Sequence, residues 1–409
     1  MPLISSHDAI NKWLYFLVLA LPITISSYPS VGSKLCGFIF LTGLCLGWKK
    51  TLLAPPEKHL LFALALFPLL LLFSLFLFPD IARGISRWGR YGTYLVAIPM
   101  YIMFRFYSQD YRRILFWACS VGALCLFSWG VYEIETLGLT RTGGGRNPIT
   151  YGYQSALLAM VLAIGLFTLK LSKPKMIWGG ITLLAALIAC WWSQTRGAWL
   201  GLLFAPLIAI FILANIKAKI MVILAGVIMV AGILVTVYFE LGAASRLITG
   251  WNQITGFIES PTSCTSIGAR FSLWKNVLII VENNLFFGVG LDGYSDATKM
   301  LSEHSLSNNI DCSNAHLHTA HSIYFHTLAI SGIVGVLGLI LVFLGLIYAI
   351  YKAPANTIDR LLPLTIVFMF MIFGLTATWT QHSLSISTFL IFSTLLVANL
   401  YGKHNESAK

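Results

Sequence analysis

About twelve long apolar runs, separated by short polar stretches, most strongly constrain the fold of this chain. Each run is close to the ~20 residues that an α-helix needs to cross the hydrocarbon core of a bilayer. Charged residues make up 10% of the chain and apolar residues 57%, and a water-soluble fold of this length could not cover its surface with so few charges. We therefore predict an all-α polytopic membrane protein with about 12 transmembrane helices.

The positions of the spans follow from hydropathy. The predicted spans are residues 13–30, 35–48, 59–78, 91–107, 114–133, 150–169, 176–193, 198–215, 219–238, 322–350, 361–379 and 384–401. The segment before Trp13 lacks the short apolar core and small-residue cleavage site of a signal peptide, so the first span is predicted to be uncleaved. A long polar segment divides the chain into helices 1–9 (residues 1–238), a large loop with short helices (239–320), and helices 10–12 with a C-terminal tail (321–409).

The lysines predict the orientation of the spans, because positively charged loops tend to stay in the cytoplasm. With both chain ends in the cytoplasm, every lysine except Lys34, Lys275 and Lys299 falls on the cytoplasmic side. This orientation places the large loop, residues 239–320, on the other side of the membrane.

The arginines depart from this rule. Those that map to the non-cytoplasmic side are Arg83, Arg87, Arg90, Arg141, Arg146, Arg196, Arg246 and Arg270. Membrane insertion does not explain this distribution, whereas phosphate binding does, because the guanidinium fork holds phosphate oxygens bidentately and stays charged. The alternative is pairing with acidic side chains or lipid headgroups, which we expect for Arg246 and for one or two of the three arginines between residues 83 and 90.

Two of these arginines lie in distinctive local sequences. Arg196 lies in a short polar turn between two spans, and it is either an anion clamp at the membrane boundary or an arginine that reaches into the headgroup region. Arg270 lies near the start of a predicted amphipathic surface helix that begins around Ser266, where helix N-terminal amides also favour an anion. Downstream, Gly288 and Gly290 indicate a bent connector.

A histidine cluster follows the large loop. His316, His318 and His321 lie close together, with His304 and His326 nearby. Three interpretations are open: a metal site, a single catalytic base, because imidazole titrates near neutrality, or interfacial histidines that hydrogen-bond the loop. Further along, Gly332 and Gly335 are predicted to let a neighbouring helix approach closely.

Two cysteines, Cys264 and Cys312, fall in the large loop, whereas the others lie in apolar runs. An oxidising compartment permits a disulfide between these two. The alternative is two unpaired thiols, since the sequence does not fix the distance between them.

These elements together resemble the O-antigen ligases of Gram-negative bacteria, within the wider group of O-antigen ligases and polymerases. The stretch from Arg196 to Leu200 fits the family's Arg-x-x-x-Leu element. The stretch from His321 to Gly335 fits its His-[Asn/Ser/Gln]-x9-Gly-x-x-Gly element, and the spacing to the first glycine favours His321 as the family histidine. Arg270 resembles the arginine at the start of the helical part of the large loop.

The resemblance implies an inverting glycosyltransferase of the bacterial inner membrane, with its active site at the periplasmic face. The donor would be a glycan on undecaprenyl pyrophosphate and the acceptor a hydroxyl of the lipid A–core oligosaccharide. Membrane lipid is a further expected partner, and no nucleic acid, cofactor or metal is expected. Arg196 and Arg270 would clamp the pyrophosphate, and His321 would be the general base. The predicted assisting arginines are Arg146, Arg83, Arg87 and Arg90, and the other acceptor-side candidates are His316 and His318.

Other functions remain as alternatives. An O-antigen polymerase uses the same kind of donor but extends a glycan. A protein O-oligosaccharyltransferase is disfavoured, because no large soluble C-terminal domain fits the polar segments. A transporter or flippase for lipid-linked sugars would be expected to carry ionisable residues near the middle of its spans, whereas the charges here gather at one surface.

Overall fold

The computed structural model describes residues 6–75, 81–107, 109–213, 244–259, 265–303 and 318–406, and the regular structure within these ranges is helical. The helices are α1 (Ser6–Ser27), α2 (Pro29–Leu46), α3 (Pro55–Leu75), α4 (Ile81–Tyr91), α5 (Thr93–Phe106), α6 (Tyr111–Val131), α7 (Pro148–Thr168), α8 (Lys173–Trp192), α9 (Arg196–Leu213), α10 (Ala244–Glu259), α11 (Ser266–Glu282), α12 (Tyr294–Glu303), α13 (Ile323–Lys352), α14 (Thr357–Thr376) and α15 (Ser383–Glu406). A π-helical turn, Tyr132–Thr136, extends α6, and a 3₁₀ turn, Trp379–Gln381, precedes α15.

Local sequence explains where several helices begin. Proline occupies the first turn of α2, α7 and α8, where its fixed φ suits the helix and its missing N–H is not needed. The side chain of Asn147 accepts a hydrogen bond from the Ile149 N–H at 2.8 Å, which caps α7. Thr265 caps α11 in the same way, through the Gly268 N–H at 3.0 Å. Each cap satisfies an N–H group that has no partner within its helix.

Ten of the helices are long and apolar enough to cross a membrane, and they indicate a multi-pass membrane protein. They are α1, α2, α3, α6 with its π-helical extension, α7, α8, α9, α13, α14 and α15 up to Gly402. The predicted span 91–107 corresponds to α5, which has only 14 residues. The predicted span 219–238 lies outside the described residues. The prediction of about 12 spans is thus matched by ten helices in the described part of the chain.

Small residues allow the closest contacts between helices. The face of α13 with Gly338 and Gly345 packs along α3, and a Cβ at these positions would lie 3.0 Å from Phe67 and 3.2 Å from Ala63. Between lipid-exposed helices the hydrophobic effect contributes little, so close van der Waals contact through small residues favours association. Large apolar side chains on the outside, such as Phe167, are exposed in the way expected of lipid-facing residues.

The large-loop segment, residues 239–320, contains α10, α11 and α12 in its described parts. The connector between α11 and α12 is joined to a break in α13. There, Gly332 has φ +60° and ψ −161°, the Val289 N–H donates to the Ala329 carbonyl at 2.8 Å, and the Ile333 N–H donates to the Leu285 carbonyl at 2.8 Å. A Cβ at Gly332 would overlap the main chain of Phe286. Gly332 therefore accepts a loop backbone rather than the neighbouring helix predicted for it, whereas Gly335 faces Leu71 of α3.

The charged side chains described here lie at the two ends of the helical bundle. One end carries Arg90, Arg141, Arg146, Arg196 and Arg270 at or near helix ends. We call it the arginine end. The opposite end carries the buried ion pair between Arg105 and Glu57, at 3.0 Å, and the contacts of Arg112 with Asp110 and Asp359.

Candidate active site

Two cavities open at the arginine end. The first, of about 440 Å³, is lined by Arg141, Arg196 and Arg270. We call it the Arg196 cavity. The second, of about 380 Å³, is lined by Arg90, Arg146 and His382. We call it the Arg146 cavity. Among the described residues, no aspartate or glutamate lines either cavity, so both are suited to an anion.

The Arg196 cavity is assembled by helices from distant parts of the chain. Arg196 is the first residue of α9, and its Nη1 donates to Gln253 of α10 at the long distance of 3.4 Å. The same Gln253 oxygen accepts from the Ser266 hydroxyl of α11 at 3.2 Å. A Cβ at Gly250 would lie 3.1 Å from the guanidinium carbon of Arg196, so α10 passes close to this arginine through a glycine.

Arg270 lies one turn inside α11, on the wall of the Arg196 cavity. Its Nε is buried and has no hydrogen-bond partner among the described residues. Burial lowers the pKa of Arg270, and the nearby Tyr153 phenol opposes that change. A buried guanidinium nitrogen of this kind favours an anion as its partner, because an unpaired buried donor is costly.

Arg141 joins these two arginines, although the sequence did not single it out for the site. Its Nε donates to the Ser193 carbonyl at 2.6 Å and its Nη2 to the Thr195 hydroxyl at 3.3 Å. It therefore ties the loop before α7 to the turn that contains Arg196. Arg141 is one of the arginines that the sequence placed on the non-cytoplasmic side, but no sequence motif surrounds it.

A glycine-rich loop, Gly143–Gly145, holds Arg141 and Arg146 at the arginine end. The carboxylate of Glu133 accepts N–H hydrogen bonds from Gly143, Gly144 and Gly145 at 2.7, 2.8 and 2.6 Å. Gly144 and Gly145 have φ of +60° and +67°, which glycine adopts without strain. Successive N–H groups in such a turn form an anion-binding concavity, and here the anion is a side chain of the protein itself.

In the Arg146 cavity, the two arginines bond to neutral oxygens. Arg146 donates to the Gln154 side chain and to the Ser26 carbonyl. Burial lowers the pKa of Arg146 to about 10, while Tyr151 and Glu133 raise it, so the guanidinium stays charged at neutral pH. Arg90 donates to the Gln381 side chain at 3.0 Å and to its carbonyl at 3.2 Å.

One face of α7 runs between the two cavities. Tyr153 lines the Arg196 cavity, Thr150 lines the Arg146 cavity, and both line a narrow gap between them. The two residues are three positions apart, about 4.5 Å along the axis of α7, so both cavities adjoin the first turns of this one helix. The Tyr153 hydroxyl is fixed by the Thr376 hydroxyl at 3.0 Å.

His321 precedes α13 and has φ +49°, a left-handed conformation that is uncommon for residues other than glycine. Burial lowers its pKa, and the charges of Arg270 and His382 lower it further. His321 is thus influenced by a residue of each cavity, Arg270 of one and His382 of the other. A lowered pKa keeps the imidazole neutral near pH 7, which is the form that accepts a proton.

The backbone before His321 is held by α11. Trp274 donates from its indole Nε1 to the Ala320 carbonyl at 3.0 Å, and its ring stacks on Phe325 with the centroids 4.9 Å apart. Trp274 and Arg270 are four residues apart on one helix, so they lie on the same face. The same helix therefore presents an arginine to the cavity and orients the loop that carries the histidine.

The remaining predicted residues lie elsewhere. Arg87 contacts Asp292 at 2.6 Å, and Arg83 contacts Asp292 at 3.6 Å and Asp296 at 3.7 Å. This is the pairing with acids expected for one or two arginines of that group, and their binding of pyrophosphate stays a prediction. His318 is exposed. His316, Cys264 and Cys312 lie outside the described residues, as does the Arg246 side chain. Among the described residues, no group of three or more His, Cys, Asp and Glu side chains is placed to hold a metal.

Sequence reasoning missed Arg141, Tyr153 and His382 as site residues. His382 follows the 3₁₀ turn between α14 and α15, far in the chain from the other histidines. Its pKa is lowered by burial and by the charge of Arg90. Its position beside the Arg146 cavity comes from helix packing, for which the sequence carries no local signal.

Comparison with known proteins identifies the domain that contains this site. Residues 181–340 match the protein family described as O-antigen ligase. This part of the chain is similar to the O-antigen ligase family. The matched residues include Arg196, Arg270 and His321, so the O-antigen ligase domain supplies the histidine and two of the three arginines of the Arg196 cavity. Arg90, Arg141, Arg146 and His382 lie outside it.

A relative supports similarity beyond this domain. An uncharacterized protein of Haemophilus influenzae (strain ATCC 51907 / DSM 11121 / KW20 / Rd) is 25% identical to this chain over 344 residues, which cover 83% of this chain and 83% of the relative. The similarity therefore extends well outside the O-antigen ligase domain and over most of the helical bundle.

Proposed function

We propose that this protein is an O-antigen ligase that transfers a glycan from undecaprenyl pyrophosphate to a hydroxyl of the lipid A–core oligosaccharide at the periplasmic face of the inner membrane. The observation that supports the proposal is the cavity lined by Arg141, Arg196 and Arg270. His321 is close enough to Arg270 for the charge of this arginine to lower the histidine's pKa. The match to the O-antigen ligase family supports activity of the ligase or polymerase type.

In the proposed reaction, the Arg196 cavity binds the pyrophosphate of the donor. The guanidinium groups of Arg196 and Arg270 hold its oxygens, and Arg141 adds a third positive charge. When the bond between the anomeric carbon and the pyrophosphate oxygen breaks, the electron pair stays with undecaprenyl pyrophosphate. Positioned arginines stabilise the charge that develops on this leaving group, a contribution that is often the largest in such sites.

His321 is the proposed general base. Its neutral imidazole takes the proton of the acceptor hydroxyl while the hydroxyl oxygen attacks the anomeric carbon. The new glycosidic bond forms on the face opposite the departing pyrophosphate, so the configuration at the anomeric carbon inverts. The resulting imidazolium loses its proton to solvent. The proposal uses no nucleotide, cofactor or metal, and retained transfer in a strong chelator is the expected result.

Deleting the gene and examining the lipopolysaccharide tests the proposal in the cell. We expect lipid A–core without O-antigen, together with polymerised glycan that accumulates on undecaprenyl pyrophosphate. Lipid A–core capped by a single repeat unit would instead identify an O-antigen polymerase. Unchanged lipopolysaccharide would contradict both activities and favour a transporter of lipid-linked sugars.

A further inference from the structure

The Arg146 cavity has the features of a second anion site, separate from the Arg196 cavity. Three helices begin at it: α2 contributes Ser30, α7 contributes Thr150, and α15 contributes Ser383 and Ser385. A helix N-terminus presents free N–H groups and the positive end of its dipole. Three such ends at one cavity, lined by hydroxyl groups, favour a ligand that carries both negative charge and hydrogen-bonding oxygens.

In the described part of the chain, no acidic side chain lines the wall of this cavity beside its arginines. Arg90 and Arg146 hydrogen-bond to neutral oxygens within the described residues, and the Arg146 Nε is buried with no partner there. Glu133 lies near enough to influence Arg146, but its carboxylate is engaged by the Gly143–Gly145 N–H groups. Both arginines are partly buried, and a partly buried guanidinium group without a carboxylate favours an anion as its partner.

The relation of this cavity to His321 indicates which substrate brings the anion. Arg270 of the Arg196 cavity and His382 of the Arg146 cavity both lower the pKa of His321. An inverting transfer requires the acceptor to approach from the side opposite the leaving pyrophosphate. If the pyrophosphate occupies the Arg196 cavity, as the proposed function holds, the acceptor approaches from the Arg146 cavity. Tyr153 and the narrow gap beside it keep the two anions apart.

We propose that the Arg146 cavity binds a phosphate monoester on a sugar of the acceptor glycolipid. A phosphate monoester carries about −1.5 to −2 charge near pH 7, which matches two arginines, and its three free oxygens suit guanidinium forks and helix N-terminal amides. This inference rests on the proposed function and adds to it a requirement on the acceptor: a phosphorylated sugar near the hydroxyl that is glycosylated.

The first experiment measures acceptor binding without donor. Full-length protein in lipid nanodiscs is titrated with two lipid A–core preparations, one with phosphate on its core sugars and one from which these phosphates were removed. We expect the wild type to bind the phosphorylated acceptor about tenfold or more tightly, as charge-assisted hydrogen bonds to phosphate predict. The variants Arg90→Gln and Arg146→Gln are expected to lose most of this preference. Equal binding of the two acceptors by the wild type would overturn the proposal.

The matched control is Lys34→Gln. Lys34 is exposed in the first turns of α2, next to Ser33 of the cavity wall, but it does not line the cavity. The substitution therefore removes one positive charge from the same end of the bundle, and we expect the preference for the phosphorylated acceptor to persist. Arg146→Lys keeps the charge without the planar fork and is expected to recover only part of the preference. Thermal unfolding of each variant separates lost binding from lost folding.

A second experiment distinguishes the acceptor phosphate from a donor phosphate. In a transfer assay, Arg146→Gln is expected to raise the KM for the phosphorylated acceptor about tenfold and leave the KM for the lipid-linked donor unchanged. A raised donor KM with an unchanged acceptor KM would assign the cavity to the donor and overturn the inference. If the wild type prefers the phosphorylated acceptor in binding but transfers no glycan to it, the anion site stands and the proposed ligase activity fails.

Discussion

Arg196 and Arg270 reach the same cavity from helices that are far apart in the sequence, and Arg141 reaches it from a loop. These three side chains differ in how they are held. Arg141 donates to a backbone carbonyl and a hydroxyl, the Arg196 Nη1 donates to Gln253 at 3.4 Å, and the Arg270 Nε has no partner among the described residues. At the scale of the residue, Arg141 is therefore a fixed charge, whereas the buried Nε of Arg270 is a donor well placed for a ligand.

Arg196→Lys is the sharpest test of the arginine fork. We expect it to lower the rate of glycan transfer by about 100-fold, because a point charge does not reproduce bidentate binding of a developing oxyanion. The measurement is the initial rate with saturating donor and acceptor in nanodiscs. Arg113→Lys, at an exposed position near the opposite end of the bundle, is the matched control and is expected to keep its rate. A rate near that of the wild type for Arg196→Lys would remove the clamp from the mechanism.

The pH dependence of transfer tests the base. Burial, Arg270 and His382 lower the pKa of His321 below 6.5, and only the neutral imidazole accepts a proton. We therefore expect kcat/KM for the donor to be constant near neutral pH and to fall below pH 6.5, as His321 becomes protonated. With saturating donor, the pyrophosphate offsets the charge of Arg270, so the fall in kcat is expected at a higher pH.

Two substitutions assign this titration to one histidine. His321→Gln is expected to lower the rate by about 100-fold or more and to abolish the fall below pH 6.5. His318→Gln is expected to leave the pH profile unchanged, since His318 is exposed. The reverse result would make His318 the base.

At the scale of the element, the break in α13 and the connector from α11 form one unit. The break at Gly332 frees main-chain groups within an apolar helix, and the connector supplies their partners through the Val289 and Ile333 N–H bonds. Non-helical backbone at this depth is tolerated only where such partners exist. Because α11 also carries Arg270 and Trp274, this unit links α13, which follows His321, to the helix that carries Arg270.

Gly332→Ala is expected to destabilise the protein more than a typical glycine substitution. At φ +60° and ψ −161°, a region that essentially only glycine adopts, an L-residue costs about 1–3 kcal/mol, and the new methyl group would overlap the Phe286 backbone. Gly180→Ala in α8 is the matched control, because a Cβ there meets nothing within 4 Å and alanine favours a helix. Thermal unfolding in detergent is expected to show a lower Tm for Gly332→Ala alone, and equal Tm values would argue against the strained break.

At the scale of the whole molecule, five arginines at the arginine end line two cavities, whereas Arg105 and Arg112 near the opposite end contact acidic side chains. Arg105 is neutralised by Glu57, and Arg112 by Asp110 and Asp359. This asymmetry fits an enzyme that binds anionic substrates at one membrane surface. The predicted orientation, in which the arginine end faces the periplasm, stays a prediction.

Cysteine labelling tests this orientation. In a variant that lacks the seven native cysteines, Lys34→Cys and Lys50→Cys place one thiol each at opposite ends of α2. We expect a membrane-impermeant maleimide to label the first in intact spheroplasts, and the second only after the membrane is opened. Labelling of Lys50→Cys in intact spheroplasts would reverse the orientation and place the arginine cavities in the cytoplasm.

The sequence by itself determined the class of fold. Long apolar runs in a chain with few charges are stable as helices in a lipid bilayer but not as a water-soluble fold. Ten of the predicted spans are helices of sufficient length in the described residues. It also identified the O-antigen ligase family through two spaced motifs, and the family match over residues 181–340 confirms this. Both inferences rest on local patterns, which hydropathy and residue spacing express directly.

Only the tertiary structure decided which side chains share a cavity. Arg196 and Arg270 line one cavity, but Arg83 and Arg87 contact Asp292, and Arg90 and Arg146 line a cavity of their own with His382. The physical reason is that an arginine's role depends on the charges packed around it, and those come from helices distant in the chain. Gly332 shows the same limit: its spacing predicted a close approach, and packing decided that the approaching group is the backbone of a loop.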